Sequence, residues 1–236
     1  MQRQRNADYF AIVAQLGLLL LADGVGGRPA GDVAAKLAVD TVHNTLADPE
    51  ATWPDDRAAE PDGMCRRLLD AFALANRRVR ERGQQHVHLE GMATTLVAAV
   101  LLAGRLWVAH AGDSRAYLFR AGQITRLTSD HSVAEDAVAR ARFEPEVLAR
   151  LPPTNLTRGV GLSESIRADV GVHEIRAGDV VLLASDGLTR VVGEAEIVSV
   201  LDEYHHLDVA ASVLIDRAND YGGPDNISVV LGRWAL

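Results

Sequence analysis

Two apolar runs in this chain end the same way, and that repetition constrains the fold more than any other feature. Leu16-Gly17-Leu18-Leu19-Leu20-Leu21-Ala22 stops at Asp23-Gly24, and Val180-Val181-Leu182-Leu183-Ala184-Ser185 stops at Asp186-Gly187. A short apolar run bounded by glycine reads as a buried strand. A strand that carries a lone carboxylate to its own end, into a loop nearly free of side chains, builds a place for a cation or a phosphate. Asp-Gly is also a common turn dipeptide, so one such end taken alone is an ordinary turn.

Three further carboxylates change that balance. Asp113 follows Gly112 between two strand candidates, Asp225 follows Gly222-Gly223-Pro224 directly before the last strand, and Asp8 stands just ahead of the first. If these aspartates at strand edges converge, their mutual repulsion must be offset by cations. An all-oxygen donor set with no converging Cys or His favours Mg²⁺ or Mn²⁺ over zinc. Two such ions a few ångström apart hold a hydroxide between them at neutral pH and clamp a phosphoryl group for in-line attack.

Taken in order, the pattern predicts strands over Tyr9–Val13 and Leu16–Ala22, then helices over Asp32–Leu46 and Met64–Arg82. The second helix carries Leu68, Leu69, Phe72, Ala75 and Val79 on one face and arginines opposite, and stops at Gly83. Asp48 to Gly63, rich in prolines and acids, reads as a surface loop. The period then changes to strands: Thr94–Ala103, Leu106–Ala111, and a hairpin of Ala116–Arg120 with Gln123–Leu127 around Ala121-Gly122. These read as an antiparallel meander, since tight turns cannot join parallel strands. Ser129 to Pro153 is rich in Ala, Arg and Glu and broken by Pro145, Pro152 and Pro153; it reads as short helices leaving the sheet, a movable flap. Ile166–Arg176 and Asp179–Ala184 read as another hairpin around Ala177-Gly178. Helices over Glu194–Leu201 and Leu207–Asn219 precede a last strand, Ile227–Arg233. With no repeat or linker, residues 1–236 read as a single domain. The order fits an α+β, four-layer αββα sandwich: two antiparallel sheets packed face to face with helix pairs outside.

Composition narrows the function classes. A net charge of −8 argues against a broad nucleic-acid surface. Cys65 is the only cysteine, which excludes an intrachain disulfide and a cysteine zinc cage. Met1-Gln2-Arg3-Gln4-Arg5 before an apolar stretch imitates a signal peptide. Asn6, Asp8 and Gln15 interrupt it, however, no small-residue cleavage site follows, and cleavage would remove or isolate Asp23. No apolar run approaches the roughly 20 residues of a membrane span. The expectation is a cytoplasmic protein.

The segments Arg3-x-x-Asn6-x-Asp8, Ala22-Asp23-Gly24-Val25-Gly26-Gly27, Gly112-Asp113-Ser114-Arg115, Ser185-Asp186-Gly187 and Gly223-x-Asp225-Asn226 occur in the order found in the type 2C metal-dependent protein Ser/Thr phosphatases. Thr128-Ser129-Asp130-His131-Ser132 opens the flap region and Leu156-Thr157-Arg158 closes it. The chain resembles the bacterial branch of that family along essentially its whole length. The resemblance implies a phosphatase acting on phosphoserine and phosphothreonine in proteins, the products of a Ser/Thr kinase, by direct attack of a hydroxide bridging two Mn²⁺ or Mg²⁺ ions. It further implies that Asp23 bridges the metals with the Gly24 carbonyl beside it, and that Asp186 and Asp225 bind the second metal. By the same resemblance Asp8 is expected to hold metal-bound water, Asp113 to bind a weaker third ion, and Arg3 to grip the substrate phosphate with its guanidinium fork.

The chain departs from the family pattern at Ala7, where Glu or Gln is usual, and at Val25, where eukaryotic members carry a histidine proposed as general acid. It also begins only two residues before Arg3. Ala7 and the short N-terminus motivate an alternative, a pseudophosphatase acting as a binding or regulatory module; the retained Asp23, Asp186 and Asp225 argue against it. Other features take plainer readings. His110 reads as a satisfied structural histidine, Arg115 as half of a structural ion pair, His205-His206 as solvent-exposed, and the Arg77, Arg78, Arg80 and Arg82 run as a solvated helix face. His131 stands between a structural role and a substrate contact. Ser114 lacks the context of a covalent nucleophile. Gly24-x-Gly26 fails as a dinucleotide fingerprint because Pro29 holds its last position.

Overall fold

The computed structural model describes residues 5–25, 30–48, 61–136, 145–148 and 150–235. Arg3, Gly26, Gly27, most of the acidic loop and part of the flap lie outside the described residues. The chain runs β1 (Asp8–Val13), β2 (Leu18–Asp23), α1 (Gly31–Ala47), α2 (Pro61–Gln85), β3 (Leu96–Leu102), β4 (Arg105–Ala111), β5 (Arg115–Arg120), β6 (Gln123–Arg126), β7 (Asp169–Glu174), β8 (Val180–Ala184), α3 (Glu194–Glu203), α4 (Leu207–Asp220) and β9 (Val229–Arg233). One-turn helices at Pro145–Leu148 and Asp186–Thr189 complete it.

The strands form two antiparallel sheets, ordered β1-β2-β3-β4-β7 and β6-β5-β8-β9. Three buried clusters define four layers. Leu18, Leu20, Ala98 and Trp107 of the five-stranded sheet pack against Val39, Val42, Leu68 and Phe72 of α1 and α2. Leu19, Leu21, Val97, Val108, Val181 and Leu183 fill the space between the sheets. Tyr117, Leu182 and Ala184 meet Ile197, Val200 and Leu214 of α3 and α4. The expected αββα sandwich is present. The four-leucine run and the Val180–Ala184 run are continuous because β2 and β8 are covered on both faces, so neither face calls for a polar alternation.

Two expectations about pairing need correction. β7 and β8 do not form a hairpin around Ala177-Gly178: β7 pairs with β4, whereas β8 pairs with β5 and β9. The turn carries the chain from one sheet to the other. Nor do β3 to β6 form one meander, because β3–β4 and β5–β6 belong to different sheets and the chain crosses at Gly112-Asp113-Ser114. Alternation reports which faces are buried, and it says nothing about which neighbour supplies the hydrogen bonds. Gly83 does not end α2, which runs on to Gln85. A Cβ there would lie 3.1 Å from the Leu89 carbonyl oxygen, so this glycine serves the close approach of the following turn.

Candidate metal centre

The strand ends meet at one end of the sandwich. Asp23 closes β2 directly opposite Asp8 on β1. Two like charges facing each other across an antiparallel pair are destabilising, so this register carries a cost that packing alone would not select. The Asp23 backbone is pinned by the start of β3. Its N–H donates to Thr95 Oγ1 at 2.9 Å, and its carbonyl accepts the Thr95 N–H and the Thr94 hydroxyl, both at 2.8 Å. Thr95 Oγ1 also lies 2.7 Å from Ser114 Oγ, which ties Asp23 to the sheet crossing that carries Asp113. Thr94 and Thr95 carry no motif in the sequence, and their role comes only from β3 pairing beside β2.

Gly112 turns the crossing at φ +121°, and a Cβ there would sit 2.6 Å from Thr95 Cβ. Asp186 follows β8 at the head of its one-turn helix. A Cβ at Gly187 would fall 2.0 Å from the Asn226 carbonyl oxygen, so the glycine lets the Asp186 turn close onto the Asp225 loop. Asn226 Oδ1 in turn accepts the Ala7 N–H at 2.9 Å, which anchors the residue before Asp8.

Asp23, Asp113, Asp186 and Asp225 line a cavity of about 280 Å³, with Val25, Thr95, Arg190 and the Thr154–Leu156 segment as the rest of its wall. Asp8 stands behind it, within reach of Asp23 and close to Asp225. Burial raises the Asp23 pKa well above the ordinary range, and the charges of Asp8, Asp186 and Asp113 push it further. Burial likewise raises Asp8 and Asp186. Asp113 is pushed up to about 7 by burial and then by Asp186 and Asp130. Both carboxylate oxygens of Asp8, and Oδ1 of Asp186, are shut from solvent without a hydrogen bond of good geometry, although the Ser185 and Ser228 hydroxyls lie near Asp8. Buried polar atoms in that condition are costly, and a cation held among them would remove that cost. Hard oxygen donors around a cavity this size fit Mg²⁺ or Mn²⁺. Arg190, which the sequence reading passed over, supplies the cation on the wall: its Nη2 pairs with Asp186 Oδ2 and lies 3.8 Å from Asp113 Oδ2.

A second group of titratable side chains sits behind the crossing. Among the described residues, His110, His131 and Asp169 form the set whose donor atoms lie within 4.8 Å of one another. The two rings stack with centroids 4.4 Å apart and 24° between planes, so their in-plane lone pairs run side by side and do not converge on one ion. Each ring already has partners. His131 Nδ1 accepts the Gly112 N–H at 3.2 Å and its Nε2 faces Asp169 Oδ2 at 3.2 Å, while His110 Nε2 faces the Ser129 carbonyl at 2.8 Å. Arg158 neutralises Asp169 at 2.7 Å. Burial, then the His110 ring and Arg158, hold His131 down at about 4, so it is neutral at neutral pH. Both rings are held by contacts within the protein.

The other plain readings hold except at Arg80, which is half-buried. Arg115 forks onto Asp130 at 3.0 and 2.8 Å; His205, His206 and Arg77, Arg78 and Arg82 are exposed.

The family profile described as protein phosphatase 2C matches residues 2–214. The chain is 34% identical over 228 residues to the serine/threonine phosphatase Stp of Listeria innocua, across 96% of this chain and 88% of the relative. The solved structure of the S. agalactiae serine/threonine phosphatase matches with a TM-score of 0.82 at 32% identity, covering 98% of this chain and 94% of that one. The catalytic domain of the serine/threonine protein phosphatase PstP, solved in complex with two manganese ions, matches with a TM-score of 0.77 at 30% identity, over 100% of this chain and 94% of that one.

Proposed function

The chain belongs to the protein phosphatase 2C family, and from that premise we propose that its five strand-end aspartates form the metal centre of a serine/threonine phosphatase. The enzyme hydrolyses phosphoserine and phosphothreonine in proteins. The observation that carries the site is the cluster of buried carboxylates with raised pKa values and orphaned oxygens around one cavity.

In this reading the Asp23 carboxylate and the Gly24 carbonyl would hold the paired Mn²⁺ or Mg²⁺ ions together with Asp186 and Asp225, and Asp113 would offer a weaker third position. When bound, such a pair supplies a nucleophile at neutral pH and neutralises the phosphoryl oxygens. Asp8, facing Asp23 across β1 and β2, would accept a hydrogen bond from water held at that centre. Thr94 and Thr95 hold the Asp23 backbone so that its carboxylate does not have to reorganise during the reaction. Val25 lines the cavity where some relatives carry a histidine, so no side-chain acid at that position serves the leaving group. Arg3, outside the described residues, grips the substrate phosphate.

The physiological substrates are proteins phosphorylated by a Ser/Thr kinase, residues 1–236 work as one phosphatase domain, and the site of action is the cytoplasm. Among the described residues no helix is long and apolar enough to cross a membrane. The test is hydrolysis of p-nitrophenyl phosphate and a phosphothreonine peptide with Mn²⁺ and after chelation, beside Asp225→Ala. Metal-dependent turnover lost in Asp225→Ala is expected; metal-independent turnover, or full activity in the variant, would sink the reading.

A further inference from the structure

We propose that Arg190 is a built-in cation that shares the gap between Asp113 and Asp186 with a third divalent ion, each excluding the other. The inference rests on the metal-centre reading above and goes beyond it, to the control of ion loading by a side chain of this chain. Arg190 follows Asp186 by one helical turn, and its N–H donates to the Asp186 carbonyl at 2.9 Å. That spacing puts both side chains on one face, so the pairing is set by the backbone. From there Nη2 reaches Asp186 Oδ2 and stands 3.8 Å from Asp113 Oδ2, between two carboxylates that would otherwise face each other.

Among the described residues lining the cavity, Arg190 is the one cation beside four aspartates. Asp186 keeps its other oxygen, Oδ1, buried and without a hydrogen bond, so the guanidinium satisfies only one side of that carboxylate. The division of labour is therefore visible on one side chain: Oδ2 goes to Arg190 and Oδ1 is left for the ions around Asp23. A guanidinium cannot lose its proton at working pH. It leaves the gap only by swinging away, and its side chain is 42% exposed, which leaves it room to do so. An ion entering at Asp113 must displace it, and that makes the third position weak, whereas the second ion meets the guanidinium only through Asp186.

The experiment is Mn²⁺ titration of the metal-free full chain by calorimetry, with bound ions counted by electron paramagnetic resonance. Wild type is expected to take two ions and a third, weaker one. Arg190→Gln should tighten the third about tenfold, which corresponds to about 1.4 kcal/mol, a larger change than at either of the first two. Arg190→Lys, which keeps a cation on a flexible stem, should stay close to wild type. Arg190→Gln combined with Asp113→Asn should lose the third ion. An Arg190→Gln isotherm identical to wild type, or a tightened third site that survives Asp113→Asn, overturns the inference while leaving the two-ion centre standing. Wild type that binds no manganese overturns both.

Discussion

The protein buries two kinds of carboxylate, and they differ in whether a counter-charge comes with them. Asp130, Asp136 and Asp179 each meet an arginine: Arg115 and Arg126, Arg158, and Arg120 respectively. The Asp179 pKa is accordingly depressed by Arg120 and by the Arg176 N–H in spite of burial. Asp169 shows the same with Arg158. Asp23, Asp113 and Asp186 share Arg190 alone among the cavity's described residues, Asp8 stands behind them, and burial with their mutual charge raises all four pKa values. Balanced carboxylates hold the sheets and the flap region together. Unbalanced ones are held in place at a cost that a ligand of opposite charge removes.

The strongest way to break this distinction is Asp23→Asn. The variant should lower kcat/KM for a phosphothreonine peptide by about 10³-fold or more, about 4 kcal/mol of transition-state stabilisation. Its metal-free Tm should rise, since one of four crowded charges is gone; a fall in Tm would place Asp23 with the balanced group. The opposite signature belongs to Arg158→Met. Removing the guanidinium from buried Asp136 should cost about 3 kcal/mol, lowering Tm by about 6–12 °C, with Mn²⁺ affinity near wild type.

Metal removal comes next. Mn²⁺ at a hundred times its dissociation constant should stabilise the fold by about 2.7 kcal/mol, so chelation should lower Tm by roughly 5–10 °C. An unchanged Tm would mean that the cluster is not relieved by cations.

The smallest effect is the pH dependence of the metal-free protein. For a carboxyl whose folded pKa is raised, the stabilisation is complete below the ordinary carboxylate range and is lost as pH rises through the folded value. With Asp113 at about 7 and Asp8, Asp23 and Asp186 also raised, metal-free Tm should fall between about pH 4 and pH 7. Asp169 and Asp179, whose values are depressed, act in the other direction and lose their contribution only as pH falls below the ordinary range. Asp113→Asn should flatten the upper part of that decline, and melting curves in chelator across the range measure it.

Much of the site is legible along the chain because its chemistry is local. Each aspartate stands beside a glycine or a strand end, and these signatures survive without knowledge of neighbours. Thr95 and Arg190 escaped notice because their partners are remote or generic: Thr95 acts on Asp23 across a sheet pairing 72 residues away, and an arginine four residues after an aspartate is common on any helix. The stacked His110 and His131, and their link to Asp169, are likewise invisible at separations of 21 to 38 residues. Arg3, named from its motif, lies outside the described residues.

The amino-acid order by itself determined which segments become strands, though not their exact ends, which runs are covered on both faces, and which carboxylates sit at strand ends. Those follow from period, apolar continuity and the conformational freedom of glycine, all of which act within a few residues. Only the tertiary structure decided that the turns at Gly112–Ser114 and Ala177-Gly178 change sheets, since backbone hydrogen bonds in a sheet carry no side-chain code for their partner. It also decided which buried aspartates receive an arginine and which face one another. Charge balance is a sum over groups brought close in space, and that sum does not exist until the chain has folded.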